Sequence, residues 1–512
     1  IIDGVEYVQA FNTAAEAGIY YINGALTINS AAQLKIIADM VNNGTNYFEG
    51  KTIKLGADID LNNEEWIPIG SATKDHGFMG NFDGNGKTIK NLKITELTPD
   101  ADNYVYAGLF GVTEGTDAEN QNYIKNLVIE NVTIETTGHI AAATIAYPYY
   151  TQVENITVKG NISIKGGDYT SGVLAYTRRC IDAKNLTIQG NEGSSIAGNQ
   201  TVGGVISDIQ MNGGLTANYS NFKAAGLTIS AEKSVGGISG IISKQTLDVA
   251  TVENVTIICD DLRKGIVSGA LGGESTIKNI QYKNVFGAEN IVGATYDGAN
   301  DVIAKGDVYK GVTYAEVSTA DELVEALENS ENVFLKEDIK IDPASMSNAY
   351  GTTGINVKNG QVINGGGHTL NIKGAGGTWD SGINTTGGLI KNITVTGSFR
   401  GVFINHNSDY SEKVVLENVT LEGVTYTISC DQGMNQNFEA YNSTFKGWTS
   451  FAATKGTAKF EKCYFGEGNG YSFCRPYAPT EFVGCYFEEG FQIDPRAKVT
   501  FENCTIGGVA LT

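Results

Sequence analysis

Apolar and polar positions along the chain repeat one short phrase: apolar, polar, Asn, apolar, Thr or similar, apolar. It reads IKNLKI at Ile89–Ile94, IKNLVI at Ile124–Ile129, VENITV at Val153–Val158 and AKNLTI at Ala183–Ile188. It returns as YSNFKA from Tyr219, VENVTI from Val252 and IKNIQY from Ile277. After a gap come IKNITV from Ile390, LENVTL from Leu416, AYNSTF from Ala440, FEKCYF from Phe460, FVGCYF from Phe482 and FENCTI from Phe501. The period of two inside each phrase predicts β-strands. The anchors are Asn91, Asn126, Asn155, Asn185, Asn221, Asn254 and Asn279, spaced 35, 29, 30, 36, 33 and 25 residues apart. In the second block Asn392, Asn418, Asn442, Lys462, Gly484 and Asn503 follow at 26, 24, 20, 22 and 19. Such spacing is too irregular for leucine-rich or helical repeats and suits coils of short strands with variable loops. Asn tolerates the left-handed conformation and its amide can stack on the Asn of the next coil, so it is read as a turn between strands.

A second phrase runs out of phase with the first: AGLFG at Ala107–Gly111, AATIAY from Ala142, SGVLAY from Ser171, GGVIS from Gly203, GGISG from Gly236 and SGALG from Ser268. Its small residues, Gly108, Ala143, Gly172, Gly204, Gly237 and Gly269, track the Asn spacing, so each coil carries at least two strands. In the second block the partner phrase supplies Phe403, Ile428, Phe451, Phe473 and Ile493 as an expected inward column. No coil can bury its apolar face alone, so coils stack with parallel strands about 4.8 Å apart. The expected fold is all-β: two parallel β-helix (solenoid) domains, right-handed by the crossover rule.

The stretch before each block is also duplicated. Thr27–Gly44 predicts a capping α-helix over 30–44, with Ser30 as N-cap and Gln33 three residues on; Ser318–Ser330 predicts another over 318–330, with Ser318 and Asp321 in those roles. FDGNGKTI (Phe82–Ile89) matches INGGGHTL (Ile363–Leu370). A helix there would cover the open first coil, whose edge otherwise invites pairing with other chains. The expected domains are 1–301 and 312–512, joined by a linker over 302–311.

Composition narrows the function. Of 512 residues 64 are Gly and only 7 Pro, and acids exceed bases by 57 − 36 = 21. Gly without a period of three serves turns rather than collagen. The negative charge excludes nucleic acid as a partner, since phosphates need clustered Lys and Arg. There are six arginines: Arg178, Arg179, Arg263, Arg400, Arg475 and Arg496. No stretch approaches the roughly 18 apolar residues of a membrane helix. Seven Cys without a C-x-x-C pair suggest neither a disulfide framework nor zinc. The chain starts at Ile1 without Met, so any signal peptide or anchor is expected outside it.

L-x-x-D-I-D-L, W-x-P-I-G (Trp66–Gly70), F-x-G-x-F-D-G-N-G-K-T-I and G-L-F-G together resemble the GLUG-motif β-helix surface proteins of gut and oral bacteria. The second block resembles the pectate-lyase-like β-helix superfamily in general. The resemblance implies an exported, often lipid-anchored, adhesin-like protein. It carries no catalytic residues over, because that superfamily spans enzymes and inert binders.

GNGKT at Gly84–Thr88 lacks the first Gly of a phosphate-binding loop, Asn81 standing in its place, and reads as a strand–turn–strand. The sequons at Asn131, Asn155, Asn185, Asn254, Asn392, Asn418 and Asn503 mostly coincide with turn Asn, so coil geometry explains them without glycans. Cys463, Cys485 and Cys504 share one column and are read as small inward residues. Polygalacturonase-like hydrolases carry an N-T-D, D-D, G-H-G and R-I-K set; Asp260-Asp261 stands alone, Asn384 precedes Thr385-Thr386, and G-H-G and R-I-K are missing. Asp58/Asp60 and Asp100/Asp102 are candidates for structural Ca²⁺, though such pairs are commonly solvated turns; no cofactor is expected.

Two polar or aromatic clusters remain as ligand-binding candidates. At the strand ends of the second block, His406, Asp431, Thr454, Arg475, Asp494 and Arg496 fall on successive coils and suit an acidic sugar, or else a solvated rim of surface pairs. In the first block, Tyr147, Tyr149, Tyr150 and Tyr176 lie near Arg178 and Arg179 and suit stacking on sugar faces, or else loop packing. The expected function is non-catalytic binding of a glycan or other surface ligand by an extracellular or cell-surface monomer. The alternative is a polysaccharide lyase or glycoside hydrolase.

Overall fold

The computed structural model describes residues 7–9, 20–22, 25–70, 77–97, 104–177, 179–180, 182–210, 217–295, 300–305, 308–342, 354–374, 377–378, 380–385, 387–404, 413–430, 437–451 and 456–511. The chain divides into two compact units, Ile1–Thr313 and Tyr314–Thr512. Both are parallel β-helices.

In the first unit one coil runs through Thr151–Lys165, Tyr169–Ser171 and Leu174–Tyr176 before the chain returns to the first sheet at Asp182–Gly190. Each of these strands pairs in parallel with its equivalent one coil later. Stacking therefore builds three sheets: a long-stranded first sheet, a second from Tyr106–Ala107 to Arg263–Gly265, and a third from Phe110–Glu114 to Val292–Thr295. The segment expected as a linker carries an antiparallel pair, Asn300–Lys305 with Val308–Thr313, and this pair also joins Thr276 and Ile277 of the first sheet. The second unit has two sheets, one of them running as two columns of strands side by side.

Asparagine makes the corners. Asn126, Asn155, Asn185, Asn221 and Asn279 all have φ between 55° and 59°, and Asn392, Asn418, Asn442, Lys462, Gly484 and Asn503 lie between 49° and 61°. A side-chain ladder ties the coils: Asn155 donates to Asn126, Asn185 to Asn155 and Asn221 to Asn185, at 2.8–2.9 Å, and Asn418 donates to Asn392 at 3.1 Å. A second corner follows a few residues later in the first unit, and it corrects two assignments. Asn91 aligns with Asn131, to which its side chain is bonded, rather than with Asn126; Asn254 aligns with Gly226 and Asn284 rather than with Asn221.

The residue that does follow Asn221 at the first corner is Val249, held at φ 62°. With it the spacings from Asn126 become 29, 30, 36, 28 and 30. A β-branched residue in the left-handed region costs about 1–2 kcal/mol, which Asn largely avoids. Val249→Asn is therefore expected to raise stability by about 1 kcal/mol, read as a higher urea midpoint; an unchanged or lower midpoint would refute the strain argument.

Three further expectations shift. Gly237 is followed in its column by Ile266, because Gly236 pairs with Gly265 and Ser239 with Ser268; Gly269 lies beyond the corner. The inward column of the second unit is Ile383, Val402, Ile428, Thr449, Cys474 and Ile493; Ile428 and Ile493 stand in it as expected, Phe403 and Phe473 stand one position out of it, and Phe451 stands two positions past Thr449, in register with Cys430. A register shift between Tyr426 and Ile428 hides this from simple alternation. Helix α1 (Ala31–Asn42) is capped by Ser30 as expected, but α2 (Ala320–Glu328) is capped by Thr319, not Ser318, with Glu322 completing the box. Glu322 is long enough to reach back to the Ser318 and Thr319 amides, at 2.8 and 3.1 Å. Leu34, Ile37 and Val41 of α1 and Leu323 and Leu327 of α2 join the apolar clusters of their units.

GNGK is a turn: Asn85 and Gly86 have φ 52° and 70°, and the Lys87 amide donates to the Gly84 carbonyl at 2.8 Å. Gly366 and Gly367 repeat it in the second unit.

Phenylalanine fills the last coils of the second unit. Phe445, Phe465 and Phe487 form one column, with centroids 5.2 and 4.7 Å apart; Phe460, Phe482 and Phe501 form another, at 5.1 and 5.4 Å. Cys463, Cys485 and Cys504 line up beside them, buried, each thiol donating to a backbone carbonyl at 3.3–3.4 Å. Burial pushes the Cys474 and Cys180 thiols well up, and the neighbouring Cys463 and burial do the same for Cys485. These thiols are packing groups.

Candidate functional site

The second and third sheets of the first unit meet at an outer corner, and parallel register places two columns of residues along it. The second sheet contributes Tyr106, Ile140, Tyr169, Thr201, Ser234 and Arg263. The third contributes Val112, Tyr147, Tyr176, Asp208, Ile241 and Ala270. The corner thus changes character along its length, aromatic over the first coils and polar over the later ones.

Rings meet across it. Tyr106 stacks on Tyr147 at 5.9 Å and 14°, and Tyr169 meets Tyr176 edge-on at 4.7 Å. Tyr147 touches Tyr149 and Tyr176 at 5.8 and 5.3 Å, and Tyr149 touches Tyr150 at 4.8 Å. Tyr104, 43% exposed, extends the strip by stacking on Tyr106 at 6.2 Å. His139, paired with Asp168 at 2.5 Å, lies 4.7 Å from the Tyr104 ring. Arg179 lies over Tyr149 and Tyr150 at 4.9 and 5.4 Å and donates to the Tyr150 hydroxyl at 2.6 Å. Small residues beneath, Ala142, Ala146 and Ala175, let the rings sit close to the sheets.

The four tyrosines expected from sequence, Tyr147, Tyr149, Tyr150 and Tyr176, are therefore brought into one strip with Arg179; Arg178 lies outside the described residues. Sequence reasoning missed Tyr106 and Tyr169. The signal was their column: Tyr169, Thr201 and Ser234 each stand three positions before the small corner residue Gly172, Gly204 or Gly237.

The rim expected in the second unit is only partly placed. Arg475 donates to Asp494 at 3.0–3.1 Å and Arg496 donates to the same carboxylate oxygen at 2.9 Å. His406, Asp431 and Thr454 lie outside the described residues. What joins the pair is a row of rings: Tyr426 stacks on Trp448 at 4.8 Å, and Arg475 covers Phe473 and Trp448 at 4.8 and 5.7 Å. Arg400 lies over Tyr426 at 4.9 Å and donates to the Thr378 carbonyl and the Ser429 hydroxyl.

Of the acidic pairs considered for Ca²⁺, Asp58 and Asp60 are each engaged by neighbouring amides. Asp58 accepts from the Thr88 amide, and the Asn62 amide and the Asn91 side chain hold the Asp60 carboxyl below its usual range. Asp100 and Asp102 lie outside the described residues. Among the described residues no three His, Cys, Asp or Glu side chains group as metal ligands, and no helix is long and apolar enough to cross a membrane.

No curated protein matches the chain. Among solved structures it is similar to a "putative immunoglobulin A1 protease from Bacteroides ovatus", at 14% identity over 52% of this chain and 84% of that one, with a TM-score of 0.34. It is also similar to sacteLam55A from Streptomyces sp. SirexAA-E, at 10% identity over 76% of this chain and 87% of that one, with a TM-score of 0.20. Residues 314–430, the opening part of the second unit, match the family described as "Putative pectate lyase-like adhesive domain", in line with the resemblance of the second repeat block.

Proposed function

We propose that the protein is an extracellular or cell-surface adhesin that binds a glycan along the outer corner of its first β-helix, as a binder rather than a catalyst. The tyrosine strip carries this reading. Seven tyrosines from successive coils present an amphipathic, cation-flanked surface, and aromatic rings of this kind suit the apolar faces of sugars while their hydroxyls reach the polar edges. The adhesive family matched by residues 314–430 supports the surface role. In the second unit the Asp494 carboxylate is shared between two arginines, which suits a rim that recognises ligand or closes on itself better than a general acid. The two helices, on this reading, close the first coil of each unit as a separate domain and protect its edge.

The test is affinity gel electrophoresis of the full chain in soluble polysaccharides. Retardation by at least one polysaccharide is expected, with Tyr147→Ala weakening it at least tenfold, about 1.4 kcal/mol. Tyr104→Ala, at the exposed end of the strip, should weaken it with the fold intact. Retardation unchanged in both variants, or none with any polysaccharide, would overturn the reading.

A further inference from the structure

Past the last tyrosine pair the same corner opens into a cavity of about 380 Å³, within the roughly 300–1,000 Å³ of small-molecule sites. Tyr169 belongs to both the strip and the cavity wall. Beyond it the lining is Thr201, Asp208, Gln210, Ser234 and Arg263, with Lys233 at the exposed rim.

Two observations mark this as more than a surface dent. The Gln210 side chain is only 9% exposed, and its amide nitrogen is buried with no hydrogen-bond partner. Burying an amide donor unpaired is costly, and a ligand oxygen accepting from it would offset that cost. Asp208, wholly buried, adds a carboxylate to the lining beside it. The floor thus offers a donor and an acceptor side by side, which is what a pair of sugar hydroxyls requires.

The charges choose between sugars. Arg263 is gripped by Asp261 through two hydrogen bonds of 3.2 Å, and Asp208 is the carboxylate in the lining. Cations and carboxylates around the cavity therefore balance, and a ligand carboxylate would add a second negative charge to a lining that already holds Asp208. The set favours a neutral polyhydroxylated ring.

Building on the glycan-binding reading, we propose that this cavity holds the neutral sugar residue at one end of the chain that lies across the tyrosines. Gln210 donates to one ring hydroxyl, Asp208 accepts from its neighbour, and Lys233 closes the rim. The strip supplies stacking and the cavity sets which terminal sugar is accepted.

Saturation-transfer NMR on the full chain with free glucose, galactose, mannose and galacturonate tests this. At least one neutral hexose should bind, and Gln210→Leu should weaken it at least tenfold while holding or raising the melting temperature, since it removes an unpaired buried donor. Lys233→Ala, on the exposed rim, should weaken it severalfold. A hexose bound equally by both variants, binding of galacturonate alone, or no sugar bound would overturn the assignment. Polysaccharide retardation that depends on Tyr147 without any hexose signal sinks the cavity and leaves the strip. A Gln210-dependent hexose signal with retardation indifferent to Tyr147 and Tyr104 does the reverse.

Discussion

Phe465→Ala is expected to lower the unfolding free energy by about 3–5 kcal/mol, the largest loss of any single truncation in the second unit. Phe465 is wholly buried and lies within 4.7–5.9 Å, centroid to centroid, of Phe445, Phe460, Phe482, Phe487 and Phe491. The void cannot collapse readily, because its walls are rings that already support one another in two columns, and each backbone is fixed by ladders above and below. Coils contact only their neighbours, so the loss should be concentrated in the last coils. Urea unfolding gives the magnitude and hydrogen exchange the place. A change under about 1 kcal/mol, or protection lost uniformly along the unit, would contradict the account. Phe465→Leu should cost much less, since it keeps most of the volume.

Gly236→Ala is expected to destabilise by about 3 kcal/mol, the upper end of overpacking. A Cβ there would lie 2.1 Å from the Ser239 carbonyl oxygen, 2.6 Å from that of Val267 and 2.7 Å from the Ser268 Cα. All three are backbone atoms of the same coil and the next, so no side chain can rotate away. Gly236 stands in register between Gly203 and Gly265, where the second sheet turns into the third. Gly86→Ala is the contrasting case. It has nothing within 4 Å and fails only through its φ of 70°, so it should cost about 1 kcal/mol. Equal thermal shifts in the two variants would show that crowding at the corner is not what demands glycine.

Much of this was legible in the chain. The Asn phrase gave the strands, the left-handed corners and the ladder, because one residue type satisfies both the dihedral and the stacking amide. Its limits lie in the phrase being used at two corners. E-N-V-T-I occurs at Glu130–Ile134 and at Glu253–Ile257, and both copies stand at the second corner, so their identity to each other was a better guide than their likeness to the consensus. Val249 was invisible because a residue strained in its position carries no turn signature. The inward column of the second unit was right at Ile428 and Ile493 and missed at Phe473 because large apolar residues also decorate the outer face there: Trp448 and Phe473 pack on each other at 5.3 Å beside Arg475 rather than entering the core. Of the candidate site, the tyrosines adjacent to a repeat phrase were found and those across the corner were not. Gln210 and Asp208 had no signal, since a buried polar residue announces itself only once its surroundings are known.

On the proposed glycan-binding reading, the outer corner also sets how long a ligand the protein can measure. Each coil places one residue in each column, and parallel neighbours are spaced by about 4.8 Å, so the corner is graduated like a ruler. Duplicating or deleting one whole coil would splice Asn to Asn and leave every other rung in place. It would lengthen or shorten only the distance between the aromatic end and the polar end. Coil number, rather than the chemistry of any one residue, would then set the span of chain that fits between them.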